Sequence, residues 1–99
     1  MKDIINQMDK AFDSRIRIAI MSLLLVHEWM DFNTLKERLG VTDGNLASHT
    51  ASLENKQFIV VKKKFVGKRP NTSYKATEHG RVAFGEYMMA LQKLLNVKA

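Results

Sequence analysis

The 99-residue sequence contains no cysteine, which excludes disulfide bonds, thiolate metal sites and cysteine nucleophiles. It has one proline, Pro70, and no linker or low-complexity segment that would divide it. No apolar run approaches the roughly 20 residues that a membrane-spanning helix needs. The first ten residues include Asp3 and Asp9 and lack the basic and then apolar layout of a signal peptide. These absences predict a single domain, residues 1–99, in a cytoplasmic protein without a membrane partner.

Signatures of catalysis and of metal binding are also missing. The sequence has no glycine-rich phosphate loop, no motif of paired catalytic carboxylates and no nucleophile–base motif. Its three histidines, at positions 27, 49 and 79, are widely separated, and the adjacent Ser48 and His49 would point about 100° apart on a helix. We therefore expect a protein that is not an enzyme and that uses no metal ion and no cofactor.

Acidic residues are absent from residues 55–77, a segment that holds seven of the 16 basic residues. Residues 1–54 carry a net charge of −2, and residues 78–99 a net charge of +1. A concentrated basic segment on a small domain favours a polyanionic partner, with nucleic acid first and an anionic membrane second. A solvated, lysine-rich surface is the alternative that charge alone leaves open.

Apolar periodicity predicts five helices and one hairpin. The helices cover residues 1–12, 14–27, 34–39, 43–56 and 78–97, with a short extended connector at residues 29–32. Asn33, Thr42 and Thr77 are expected to cap three of the helix starts, and Gly40 to end helix 34–39 in a left-handed conformation. Residues 34–56 therefore read as a helix-turn-helix with a short, glycine-containing turn.

After Phe58 the spacing of apolar residues changes from a helical to an alternating pattern. This change predicts a basic hairpin at residues 58–76, with its tip at Gly67–Asn71. The apolar residues of both strands share one side if Phe65 lies opposite Thr72, Lys63 opposite Tyr74 and Val61 opposite Ala76. A helix-turn-helix followed by such a hairpin is a winged-helix arrangement. The predicted fold class is mainly α with a small β-hairpin, an α+β winged helix-turn-helix that dimerises through its terminal helices.

Helix 43–56 has a surface suited to reading DNA. If Leu46, Thr50 and Leu53 face the core, the opposite face carries small or neutral polar side chains, which let a helix sit deep in the major groove. Asn45 is the best candidate for base reading, because its amide can pair bidentately with adenine, and Ser48 suits either a base or a phosphate. A merely solvated helix is the alternative, although such helices are usually richer in lysine and glutamate.

Several passages resemble the MarR- and ArsR-type winged-helix transcriptional regulators over about residues 10–95. The passages are Asp13–Arg17, Gly40–His49, Leu53–Glu54, Phe58–Lys63, Phe65–Tyr74 and Ala76–Arg81. The resemblance implies a homodimer that binds a pseudo-palindromic duplex with one recognition helix in each half-site. It implies base contacts from Asn45, Ser48 and His49, and contacts of the helix start and wing with the DNA backbone from Thr42, Lys62, Lys64, Lys68 and Arg69. Family members commonly carry leucine where this sequence has Thr50.

The apolar stripe of helix 78–97 is too long for a domain of this size to cover. We expect it to pair with the N-terminal helix, residues 1–12, and with its twin in a second copy of the chain. The residues expected in this dimer interface are Ile5, Met8, Phe84, Tyr87, Met88, Leu91, Leu94 and Leu95. Packing within a single chain is the alternative.

The leading hypothesis is a homodimeric, sequence-specific regulator of transcription, a repressor, that binds double-stranded DNA. The main alternative is a winged-helix module that binds another protein and has no DNA target, since a fold does not fix a function. RNA binding ranks last, because no exposed aromatic surface for stacking unpaired bases is expected. A small-molecule effector has no support in the sequence.

Overall fold

The computed structural model describes residues 1–97, which form a mainly helical domain with a three-stranded antiparallel sheet. The elements in chain order are α1 (Lys2–Asn6), a 3₁₀ turn (Lys10–Phe12), α2 (Arg15–Val26), β1 (Met30–Asp31), α3 (Phe32–Leu39), α4 (Asp43–Asn55), β2 (Ile59–Val66), β3 (Arg69–Ala76) and α5 (Glu78–Asn96). The strand order is β1-β3-β2. The predicted winged helix-turn-helix is thereby confirmed. Within the described part of the chain, no helix has the length and apolar character for crossing a bilayer.

Four aromatic rings form the centre of the core. Phe12 stacks on Phe58 with 5.1 Å between ring centroids, and it meets Phe84 and Tyr87 edge-on at 5.3 and 5.4 Å. Pairs with this geometry contribute about 0.5–1.5 kcal/mol each beyond the burial of their surface. The cluster joins three segments that are distant in sequence, namely the turn before α2, the chain after α4, and α5.

The prediction of one continuous helix over residues 1–12 is wrong. Helix α1 ends at Asn6, and a separate 3₁₀ turn follows Asp9, whose Oδ1 accepts a hydrogen bond of 2.8 Å from the Ala11 amide. Aspartate is prone to such local bonds, which compete with the hydrogen-bond ladder of a helix. The break redirects the chain so that Phe12 becomes fully buried.

The predicted cap of the third helix is also wrong. Helix α3 begins at Phe32, and its cap is Asp31, which accepts a hydrogen bond of 2.7 Å from the Thr34 amide. Hydrogen bonds from the hydroxyl and amide of Thr34 lower the pKa of the Asp31 carboxyl group. The other predicted caps are confirmed: Thr42 caps α4, Thr77 caps α5, and Gly40 ends α3 with φ of 64°.

The hairpin pairs two residues away from the predicted register. Val61 lies opposite Tyr74, Lys63 opposite Thr72 and Phe65 opposite Pro70, so the connecting loop contains just Gly67 and Lys68. Gly67 has φ of 64°, which glycine adopts without strain and which suits a tight two-residue loop. Because the shift is an even number of residues, every side chain keeps the face that was predicted for it.

A glycine at the start of α5 allows close packing against the chain that leaves α4. The Thr77 amide donates to the Phe58 carbonyl oxygen at 3.0 Å, and the Thr77 hydroxyl donates to the Gln57 carbonyl oxygen at 2.7 Å. A Cβ atom at Gly80 would overlap the backbone of Phe58. This contact fixes the base of the hairpin relative to both α4 and α5.

Candidate nucleic-acid interface

Helix α4 presents one buried face and one face of small side chains. Leu46 and Leu53 are fully buried, and Thr50 is buried beside them with its hydroxyl donating to the Ala47 carbonyl oxygen at 3.2 Å. That bond gives the buried Thr50 hydroxyl group a partner within its own helix. At 100° per residue, the face opposite the core is centred near Ser48, with Gly44 and Ala51 about 40° and 60° to one side of it, and all three are exposed.

The start of α4 is ordered by its neighbours. The Thr42 hydroxyl oxygen accepts a hydrogen bond of 3.2 Å from the Asn45 amide, and the Asn45 side chain is exposed. Lys36 of α3 contacts Asp43 with 2.8 Å between its Nζ and a carboxylate oxygen. This ion pair across the helix-turn-helix offsets the one acidic charge in the first turn of α4.

Arg17 of α2 fastens the second half of α4. Its Nε donates to Nδ1 of His49 at 3.0 Å, and its Nη2 donates to the Ser52 hydroxyl oxygen at 3.3 Å. Its Nη1 also donates to the Ala11 carbonyl oxygen at 3.3 Å, which ties the turn before α2 into the same contact. Burial lowers the pKa of His49, and the charge of Arg17 lowers it further. His49 is therefore a neutral acceptor that faces α2, whereas Asn45 and Ser48 face outward.

Lys63 borders α4, although sequence analysis did not single it out. A shallow depression of about 200 Å³ separates α4 from the sheet, and its lining includes Lys63, Ala47, Ala51 and Glu54. Since side chains alternate along a strand, Lys62 and Lys64 point to the opposite face of β2. The side of the hairpin that faces α4 thus carries Lys63, and the far side carries the two lysines that were predicted to contact the DNA backbone.

The far side of the sheet contains a cluster of lysines around Trp29. The Nζ atoms of Lys62 and Lys75 lie 5.2 and 5.8 Å from the centroid of the Trp29 ring, within the range of a cation–π interaction. Lys75 also contacts Glu28 at 3.3 Å. Trp29 is 38% exposed and Phe65 is 73% exposed, and the two rings lie on opposite faces of the sheet, where they do not form one stacking surface.

The outer part of the hairpin extends beyond the body of the domain. Every residue from 62 to 70 is exposed, including Lys64, Lys68 and Arg69, and Ile59 at the base of the hairpin is fully buried. The tip is therefore attached to the domain through the two paired strands. Its charge is wholly positive, because residues 55–77 contain no acid.

The terminal helices supply both core and surface. Phe84 and Tyr87, which were predicted to lie in a dimer interface, are buried against Phe12 of their own chain and leave almost no surface for a second copy. Both side chains pack into the aromatic cluster, because the break after α1 places Phe12 beneath α5. The other predicted residues keep accessible surface: Ile5, Met88 and Leu95 are exposed, and Met8, Leu91 and Leu94 are half-buried.

An exposed second helix in a helix-turn-helix, followed by a basic two-stranded wing, defines a winged-helix protein of the DNA-binding class. Residues 16–95 match the family model described as winged helix DNA-binding domain, and the chain belongs to this family. The predicted resemblance to winged-helix transcriptional regulators is confirmed.

Three known proteins illustrate this relationship. An uncharacterized protein of Methanocaldococcus jannaschii is 42% identical over 85 residues, which cover 86% of this chain and 92% of the relative. The structure of a transcriptional regulator homologue from Pyrococcus horikoshii aligns with a TM-score of 0.83 and 25% identity, covering 96% of this chain and 92% of that one. ZitR of Lactococcus lactis, solved in complex with DNA, aligns with a TM-score of 0.62 and 16% identity, covering 83% of this chain and 55% of the ZitR chain. At this identity, the likeness shows that the two proteins share a fold and nothing more.

Proposed function

We propose that the protein is a homodimeric, sequence-specific repressor of transcription that binds double-stranded DNA in the cytoplasm. The observation that carries the proposal is the combination of an exposed, small-faced α4 with an acid-free wing that carries the excess positive charge. The first can approach base edges closely, and the second can neutralise phosphates.

Helix α4 is the recognition helix in this proposal. Asn45 and Ser48 read base edges in the major groove, since both are exposed on the half of α4 that no other element covers. The helix start at Thr42 meets a phosphate through backbone N–H groups, which carry the positive end of the helix dipole. His49, which contacts Arg17, holds the helix in position from its flank.

The wing supplies most of the affinity. Lys64, Lys68 and Arg69 lie on its exposed outer part and contact the DNA backbone, with the arginine suited to the minor groove. Lys63 contributes from the side that faces α4, and Lys62 from the base of the wing beside Trp29. Contacts of this kind fix the register of the protein on the duplex and carry little sequence information.

Dimerisation through α1 and α5 accounts for the apolar surface of the terminal helices. Ile5, Met88 and Leu95 are exposed in the single chain, and Met88 and Leu95 lie seven residues apart on one side of α5. A two-fold dimer places two recognition helices on a pseudo-palindromic site, with half-sites about one helical turn of DNA apart. Bound at a promoter, such a dimer blocks the polymerase sterically, which is repression.

A titration of random-sequence duplex DNA tests the proposal. Binding is followed by fluorescence anisotropy at low and at moderate salt, and sedimentation measures the mass of the same sample. We expect a dimer whose affinity falls steeply with salt, because lysine contacts release counterions from DNA. A clean dimer that binds no duplex at low salt would contradict the proposal and favour a protein partner.

A further inference from the structure

Phe65 stands out among the aromatic residues of residues 1–97 because its side chain is 73% exposed. A single exposed apolar side chain has little meaning by itself, since most proteins have several. Its location, its charged surroundings and its rigid support distinguish Phe65 from the other exposed apolar residues.

Phe65 lies near the outer end of the wing, far from the body of the domain. It lies two residues before the loop of the wing, on the same face of β2 as Val61 and Lys63, and this face is turned toward α4. At about 3.3 Å per residue, Phe65 stands roughly 13 Å beyond Val61 along the strand. With α4 in the major groove, a projection of this length on the α4 side reaches the adjacent minor groove.

The charges around Phe65 select its partner. Lys63 shares the face of β2 with Phe65, Lys68 lies in the adjoining loop, and no acid lies within residues 55–77. An apolar protein groove would gain nothing from these neighbouring positive charges, whereas the minor groove has a negative potential that attracts arginine and lysine. The surroundings therefore indicate DNA as the occupant of this surface.

The tip is built rigidly enough to insert a side chain. Pro70 lies directly opposite Phe65 in the hairpin and fixes its own φ, and the loop is limited to Gly67 and Lys68. A side chain that separates stacked bases must resist being pushed back, so a short, constrained hairpin is a suitable support.

We propose that Phe65 is a wedge that enters the minor groove beside the recognition helix and partly unstacks one base step. Apolar wedges of this kind kink the duplex, and the energetic cost is smallest at flexible pyrimidine–purine steps and at mismatches. The protein then favours sites with such a step beneath the wing, although it makes no hydrogen bond to those bases. This inference rests on the proposed function.

The test compares two 20-bp duplexes that differ by one central mismatched pair, with 2-aminopurine beside it. We expect the wild type to bind the mismatched duplex on the order of tenfold more tightly, because the mismatch removes much of the unstacking cost. Binding also raises the 2-aminopurine fluorescence. Phe65→Ala brings the affinity ratio close to one and abolishes the fluorescence change, and Phe65→Leu keeps most of both.

Val66→Ala is the matched control, because Val66 is an exposed apolar neighbour, 59% accessible, on the opposite face of β2. It is expected to leave the affinity ratio unchanged, and thermal melts confirm that the variants fold. Equal ratios for wild type and Phe65→Ala, in a protein that binds duplex DNA, would overturn the wedge and leave the proposed function standing. Failure to bind any duplex at low salt would overturn both.

A third outcome also overturns the wedge. If Phe65→Ala changes the sedimenting mass and leaves the mismatch preference intact, Phe65 belongs to a contact between copies of the chain. The wild-type affinity ratio and the sedimenting mass together therefore separate an occupant made of DNA from one made of protein.

Discussion

The recognition helix α4 and the wing differ in how they are held and in what they can contribute to binding. Helix α4 is buried along one face, capped by Thr42 and tied to α2 through Arg17, and its exposed charges, Asp43 and Glu54, are both acidic. The wing is exposed from residue 62 to residue 70 and contains no acid. The helix can therefore discriminate between bases but attracts DNA weakly, whereas the wing attracts any duplex and discriminates little.

This division predicts that changes in the two regions have different signatures. Loss of a wing charge lowers affinity for all sequences, and loss of a polar group on α4 alters the preference at one base pair. The joint between the regions, where Gly80 packs on Phe58, keeps the two surfaces in register. Damage at the joint should therefore impair both.

The largest effect is expected from Gly80→Ala. The new Cβ atom would overlap the Phe58 backbone, which cannot move without displacing the end of α4 and the start of β2. We expect a loss of about 3 kcal/mol in the free energy of unfolding, at the upper end of overpacking effects. Urea unfolding at a fixed protein concentration measures it.

Gly85→Ala is the matched control for Gly80→Ala. Gly85 is exposed in the same helix, and a Cβ atom there meets nothing within 4 Å. Alanine should stabilise the helix by about 0.5–1 kcal/mol. Equal effects from the two variants would show that the packing of Gly80 on Phe58 is not a constraint.

The next largest effect is expected from removing the charges of the wing. The triple variant Lys64→Ala, Lys68→Ala and Arg69→Ala should bind all duplexes on the order of 100-fold more weakly at moderate salt. If each residue contacts one phosphate, the slope of log affinity against log salt should fall by about 2.7 for each subunit, or about 5.4 for the proposed dimer. Anisotropy titrations at several salt concentrations measure both quantities.

Lys93→Ala serves as the control for the wing, since Lys93 is an exposed lysine near the end of α5. It should leave the salt slope as in the wild type. A triple variant whose slope equals that of the wild type would place the phosphate contacts elsewhere on the domain.

A smaller and more selective effect is expected from Asn45→Ala. Once a binding sequence has been selected from a random pool, this variant should lose about 1–3 kcal/mol on it and should tolerate any base at one position of each half-site. Asn55→Ala, at the exposed end of the same helix, should keep the full preference. Repeating the selection with both variants checks this, and an unchanged consensus for Asn45→Ala would remove Asn45 from the base-reading role.

The sequence predicted the order of the elements because apolar periods and most caps are local signals. It failed where one polar side chain decided between two local structures. Asp9 and Asp31 bond amides two and three residues ahead, which broke one helix and started another earlier than expected. The hairpin register was displaced by two residues, because alternation fixes the face of each side chain and leaves its partner undetermined.

The candidate site was predicted where exposure follows from helical geometry and missed where it depends on tertiary contact. Asn45 and Ser48 are exposed as expected. Arg17 lies 32 residues before His49, and no local pattern links them. Lys63 was not predicted to belong to the site, because the alternation of side chains defines the two faces of β2 but not which face lies against α4.

The smallest expected effect concerns the hydrogen bond between Arg17 and His49, which holds α4 against α2. Burial and the charge of Arg17 both lower the pKa of His49 in the folded protein, so the unfolded chain binds a proton at this site more readily. The contact therefore stabilises the fold fully above the unfolded pKa of about 6.5, and this contribution is lost as the pH falls through the lower folded pKa.

His49→Gln keeps an acceptor for Arg17 but cannot titrate, so its stability should fall less than that of the wild type between pH 7 and pH 5. His27→Gln, outside this contact, should retain the wild-type difference, and urea unfolding across that range measures all three proteins. If the wild type and His49→Gln respond identically to pH, the neutral His49 acceptor does not contribute to holding the recognition helix.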